Sequence, residues 1–173
     1  MEQDSNRGPG SQEQPEVSEA QKHFALNRLR DNQNLPAGIL AGAAAALVGA
    51  GIWAFIVVLT EYQTGVVAIG VGFLVAYAVR LAGKGIDRLF GVVGAIFALL
   101  GCLLGNLLTA SYLIAKTEGI PFLDVLAQMD FSLVVEIMAA TFEPMDILFY
   151  AIAVYFGYRY AFRPVTAEDL GRS

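Results

Sequence analysis

The chain has 173 residues, ordinarily one domain, and 56% of them are hydrophobic against 16% charged, with a mean hydropathy of +0.56. That balance is too apolar for a soluble domain of this size and fits a small integral membrane protein. The net charge of −5 comes from the tails and one outer loop, and without a basic patch set among exposed aromatics no nucleic-acid partner is expected.

In chain order, residues 1–16 (MEQDSNRGPGSQEQPE) are polar and rich in turn formers. They cannot bury enough surface to offset the entropy of ordering, which predicts a disordered tail. Residues 17–35 form a juxtamembrane stretch, with a short helix expected over 17–31. Ser18 with Gln21 matches a capping box, and Val17, Ala20, Phe24 and Leu29 give a weak apolar face. Such a helix either lies on the membrane surface or frays in solvent. More than thirty polar residues precede the first apolar run, so the N-terminus does not read as a secretory signal peptide.

Four apolar stretches follow, at about 36–60, 65–83, 88–115 and 146–163. A membrane crossing needs about 20 residues at 1.5 Å rise each. The first two are joined by EYQT, short enough only for a tight hairpin. The third has residues to spare and would tilt or protrude. The fourth, FYAIAVYFGYRYAF, is aromatic and short unless its helix begins at Pro144, a residue suited to the first helical turn. The fold expected is all-α, a bundle of four transmembrane helices. Cys102, the only cysteine, lies inside the third stretch and has no partner for an internal disulfide.

Charge sets the threading. Arg7, Lys22, Arg28 and Arg30 precede the first stretch. Arg80, Lys84 and Arg88 flank the second turn, and Arg159, Arg163 and Arg172 end the chain. Only Lys116 falls on the other side. Lys and Arg are retained in the cytoplasm, so both termini are expected there. The opposite side carries Glu61 and then Glu118, Asp124, Asp130, Glu136, Glu143 and Asp146. The loop 116–145 is long for a connection without structure of its own. PFLDVLAQM puts Phe122, Leu126 and Met129 on one helical face with Asp124 and Gln128 turned away, and DFSLVVEIMAATF reads as a second helix. Two short helices on the outer surface are expected. A re-entrant loop is the alternative, and it would bring Glu136 to membrane depth, which is costly without a partner.

Two internal matches suggest duplication. Gly42-Ala43-x-x-Ala46-Leu47-x-Gly49 aligns with Gly94-Ala95-x-x-Ala98-Leu99-x-Gly101. Residues 77–84, centred on Arg80, align with residues 156–163, centred on Arg159, as aromatic, small, x, Arg, x, Ala, x, basic. Corresponding members of two hairpins match in the same orientation, the pattern of a parallel repeat about an axis along the membrane normal.

Candidate residues fall into three groups. Gly38, Gly42, Ala45 and Gly49 in the first stretch, and Gly91, Gly94, Ala98, Gly101 and Gly105 in the third, recur at steps of three and four. Such seams allow close backbone approach, either inside the bundle or between copies. Arg80 with Lys84, and Arg159 with Arg163, share helix faces at a spacing of four. They read as snorkelling anchors, or else as a basic pocket for lipid headgroups or a partner's carboxylate. Asn106 lies deep in the third stretch and wants an interhelical partner. A polar pathway through Asn106, Arg80 and Glu136 is the sharper alternative.

Catalytic chemistry is weakly signalled. His23, the only histidine, lies in the tail, and GKGIDRLFG follows no strand, so neither a metal nor a cofactor is expected. AVRLAGKG, FGVVGAIFALLGCLLGNLL and TFEPMDILFYAIAVYFGYRYAFR resemble stretches of bacterial four-pass membrane proteins of no assigned activity, over residues 36–163. The resemblance implies a multi-pass protein of the bacterial inner membrane and transfers no site residue. The function expected is a non-enzymatic structural or accessory subunit that contacts lipid and packs against itself or another membrane protein. A small oligomeric transporter or channel is the alternative, and a lipid-modifying enzyme a remote one.

Overall fold

A computed structural model describes residues 19–61, 65–141 and 143–166. Among them the chain is all helical: α1 (Glu19–Asp31), α2 (Leu35–Thr60), α3 (Val66–Gly83), α4 (Arg88–Glu118), α5 (Phe122–Ala127), α6 (Phe131–Thr141) and α7 (Pro144–Tyr160). The expected disordered tail at 1–16, the Ser18–Gln21 capping box and the last seven residues lie outside the described residues.

Local chemistry sets the helix ends. Asn34 caps α2 by accepting from the Ala37 N–H at 2.9 Å, and Pro36 sits in the first turn where its missing N–H costs nothing. Helix α4 runs past the expected residue 115 and stops at Gly119, whose φ of 69° closes a left-handed cap. Asp130 caps α6 through the Leu133 N–H at 2.7 Å. Helix α7 begins at Pro144, two residues before the predicted boundary, because Glu143 and Asp146 form a reciprocal capping box. It ends at Tyr160 rather than residue 163.

Three helices, α2, α3 and α4, are long and apolar enough to cross a membrane. At 31 residues α4 is about 46 Å long, well beyond a hydrocarbon core of about 30 Å. Helix α7, at 17 residues, reaches about 26 Å, and α6 meets it at 106°. Side by side, α4 packs on α2, α3 and α7, and α3 packs on α2, α4 and α7, whereas among the described residues the backbones of α2 and α7 stay apart and the two helices meet through the rings of Trp53 and Tyr150. A two-fold axis exchanging the hairpins α2–α3 and α4–α7 would turn the α3–α4 contact into an equal α2–α7 contact. The backbone packing therefore departs from an exact two-fold between the hairpins, and the local sequence matches stand.

The interior is built from small side chains. Ala46, Ala50, Ala68, Ala76, Ala98, Ala153 and Ala161 are buried, whereas Leu40, Leu47, Phe55, Leu59 and Leu81 are exposed. Lipid gives helices no hydrophobic reason to associate, so contact depends on backbones coming close enough for dispersion. Three segments meet at one end of the bundle. The Asn34 N–H donates to Gly83 O at 2.9 Å, and the Arg163 N–H donates to Gly85 O at 2.8 Å. The Gln33 side chain donates to Asp87 Oδ2 at 3.0 Å and accepts from the Ile86 and Asp87 N–H groups at 3.1 and 3.3 Å. Arg30, Lys84, Arg88 and Arg163 are gathered there. Phe90 fills a socket made by Gly38, Gly83 and Gly85, which gives the GKGID turn a packing role.

At the other end Glu61 Oε1 and Lys116 Nζ pair at 2.6 Å and tie the ends of α2 and α4 together. Helices α5 and α6 both pack on α4. In α5, Phe122, Leu126 and Met129 are half-buried around a buried Val125, while Asp124 and Gln128 are exposed. In helix α1, Phe24 is 64% exposed and Ala25 is buried. Among the described residues α1 packs against no other helix.

Candidate functional site

The glycine seams are consumed inside the bundle. A Cβ on Gly42 would meet Val79 and Phe97, each at 2.9 Å, and one on Gly49 would meet Val71 at 3.1 Å. A Cβ on Gly38 would lie 3.2 Å from Phe90. Ala45 is buried beside them. Along α4 the seam changes partner. Gly91 and Gly94 face Tyr158, Gly157 and Ala161 of α7, and Ala98 is fully buried. Gly101 faces Ala46 and Val71, and Gly105 lies under the indole of Trp53. One stripe thus serves α7 in its first half and α2 with α3 in its second.

Asn106 is buried, and its amide donates to Thr141 Oγ1 at 3.4 Å. The Thr141 hydroxyl in turn donates to Ile137 O at 2.8 Å, so this contact pins α6 to α4. Trp53 and Tyr150 meet edge to face nearby, with ring centroids 6.4 Å apart. Glu136 is exposed on α6. Arg80 stands in the last turn of α3, at the other end of the bundle from Asn106. Asn106 is eighteen residues into α4, about 27 Å from its start. The three positions suggested for a polar pathway are therefore not brought together.

The arginines are brought together, in a combination different from the expected one. A cavity of about 410 Å³ between the ends of α3 and α7 is lined by Arg80, Tyr155, Arg159, Tyr160, Phe162 and Pro164. Arg80 is half-buried and Arg159 exposed. Lys84 and Arg163, their expected same-face partners, do not line it. Lys84 is the left-handed cap that ends α3, with φ 48°, and Arg163 lies beyond the end of α7. Both helices run from the Glu61 end to the Gly85 end, so α3 and α7 are parallel neighbours and the matched positions 80 and 159 arrive together. An aromatic zipper holds the register. Phe73 stacks on Phe156 at 4.4 Å and contacts Tyr160 at 5.3 Å, and Phe156 contacts Tyr160 at 5.7 Å. A Cβ on Gly72 would lie 2.9 Å from Ala153 Cα, so the backbones cross closely two turns from Arg80.

Among the described residues neither Arg80 nor Arg159 has an ion-pair partner. Asp87, at the same end, is engaged by Arg30 at 3.4 Å and by Gln33. Sequence reasoning missed Tyr155, Tyr160, Phe162 and Pro164 as cavity walls. The match between residues 77–84 and 156–163 was the signal that joined the two arginines.

A second depression, about 450 Å³, lies between α2 and α3 and is apolar. Gly49, Ile52, Ile56, Val67, Gly70 and Leu74 line it, and a Cβ on Gly70 would meet nothing within 4 Å. At the acidic end, the hydrogen bond from Lys116 and its charge hold the Glu61 carboxyl below the usual carboxylate range. Among the described residues no three His, Cys, Asp or Glu side chains cluster as a metal site would need. No protein-family model, curated protein or solved structure matches the chain.

Proposed function

We propose that this is a four-pass protein of the bacterial inner membrane, with both termini cytoplasmic, acting as a non-enzymatic accessory subunit of a membrane assembly. Helix α7 is the fourth crossing, and α6, bent 106° from it, lies in the outer interfacial layer with α5. A 26 Å helix crosses a bilayer when its ends reach the headgroup region or the bilayer thins locally. The orientation follows from the retention of Lys and Arg and from the gathering of cations at the Gly85 end.

The subunit reading is carried by the groove between α2 and α3. Most glycines of α2 and α4 are used for internal packing, but Gly70 opens onto space in a depression lined by aliphatic side chains. Among the described residues the backbone of α2 comes close only to α3 and α4, and its outward face of Leu40, Leu47, Ile52, Phe55 and Leu59 is bare. A glycine-floored groove beside such a face accepts the ridge of another transmembrane helix by close backbone approach. That helix belongs to a second copy or to another membrane protein.

A photo-crosslinking residue placed at Ile56 or Gly70 in native membranes tests this. A discrete protein adduct is expected from both positions and none from Ile96 on α4, which serves as an exposed control. Equal adducts at all three positions, or lipid adducts alone, would refute the groove as a subunit contact. Tags at either end that proteases reach from outside intact cells would refute the orientation.

A further inference from the structure

We propose that the cavity between α3 and α7 binds the phosphate of an anionic lipid headgroup, clamped by Arg80 and Arg159. The placement in the cytoplasmic leaflet rests on the orientation proposed above, whereas the site itself does not.

Two arginines line one cavity, and none of its six lining residues is acidic. Like charges brought together are stabilised by an anion between them. Each guanidinium offers a planar fork of donors that matches phosphate oxygens two at a time, a geometry lysine lacks. Arginines acting only as snorkelling anchors would diverge into water. These converge across two helices instead, and the Phe73–Phe156–Tyr160 zipper fixes the helices that carry them. Little ordering then remains when the ligand binds.

Depth favours a lipid over a free anion. Helix α3 is 18 residues, about 27 Å, and so only just crosses the hydrocarbon core. Arg80 stands three residues before its end, on the order of 5 Å inside it, a depth from which an arginine side chain snorkels up to the glycerol and phosphate level. Tyr155 and Tyr160 line the cavity toward the end of α7, and tyrosine is favoured at a membrane interface because its ring is apolar and its hydroxyl polar. Phe162 and Pro164 complete an apolar wall against the first carbons of a chain. Basic pockets between transmembrane helices at the cytoplasmic side recur as sites for anionic headgroups, and that leaflet supplies them.

The test titrates the purified full chain in neutral detergent with dioctanoyl phosphatidylglycerol, dioctanoyl phosphatidylcholine or inorganic phosphate, reading adducts by native mass spectrometry. Phosphatidylglycerol is expected to bind at least tenfold more tightly than either alternative. Arg159→Gln, at an exposed position, and Arg80→Gln should each weaken it about tenfold. Arg80→Lys, which keeps the charge and loses the fork, should fall between. Lys84→Gln and Arg163→Gln remove the same charge at the same end outside the cavity and should change binding less than twofold. Unchanged Trp53 emission verifies that each variant is folded. Equal losses from Lys84→Gln or Arg163→Gln would overturn the site in favour of diffuse surface charge. Equal binding of phosphatidylcholine would overturn the anion requirement, and inorganic phosphate binding as tightly as the lipid would overturn the lipid assignment. Orientation enters none of these readouts, so tags found outside the cell would move the site to the other leaflet without removing it.

Discussion

The crossing of α4 and α7 at Gly94 can be tested with a single methyl group. A Cβ on Gly94 would sit 2.6 Å from Ala161 Cβ and collide with the Gly157 carbonyl oxygen. Carbon atoms rest about 3.5–4 Å apart, so α7 must retreat by about 1 Å, and a backbone carbonyl cannot rotate aside as a side chain would. Overpacking of this kind costs up to about 3 kcal/mol, against which alanine returns about 1 kcal/mol of helix propensity. Gly94→Ala should therefore lose about 2 kcal/mol. Gly51→Ala, on a face where an added Cβ meets nothing within 4 Å, keeps only the gain. The two variants should differ by about 3 kcal/mol, roughly a hundredfold in the unfolding constant. The chain holds its own reporters: Trp53 and Cys102 are its only tryptophan and cysteine, and both are buried. Unfolding in mixed micelles, followed by Trp53 emission, gives the equilibrium. Labelling of Cys102 by a thiol reagent gives the population of open states, and Gly94→Ala should speed it about thirtyfold. If Gly94→Ala and Gly51→Ala are equally stable and label equally slowly, the α4–α7 crossing described above is wrong.

Other perturbations separate the remaining contacts. Asn106→Leu combined with Thr141→Val in a double-mutant cycle should yield a coupling of about 1 kcal/mol, and additive effects would show that no bond joins α4 to α6. Gln33→Ala removes the clamp on the α3–α4 turn and should cost about 1–2 kcal/mol, with faster hydrogen exchange at the Ile86 and Asp87 amides; unchanged exchange would contradict it. Because Lys116 lowers the folded-state pKa of Glu61, its pairing contribution is present above 4.5, the ordinary value of that carboxyl, and is lost as pH falls through the lowered one. The small difference in thermal midpoint between the wild-type chain and Glu61→Gln should accordingly vanish in acid, and a difference that persists at pH 2 would refute the pairing.

Much of the architecture was legible from residue order. The expected spans at 36–60 and 65–83 match α2 and α3 to within a residue, because a helix in lipid must satisfy its own backbone and announces itself by apolar length alone. The helix in 122–127 was visible through its alternation of Phe122 and Leu126 with Asp124. The start of α7 at Pro144 was readable from proline chemistry, and its end was not, since the aromatic run continues through Phe162 without a stop signal.

The sequence by itself determined where the greasy helices lie, which end of them collects cations and which carries carboxylates, because those properties belong to single segments and their transfer from water to lipid. Only the tertiary structure decided that the Gly91–Gly105 stripe divides between α7 and the α2–α3 pair, that the backbones of α2 and α7 stay apart, and that Arg80 shares a cavity with Arg159 rather than with Lys84. Which small residue lets which backbone approach depends on shape across helices distant in the chain. A three- or four-residue spacing of glycines is the same whether its partner is a neighbour in the bundle or another molecule.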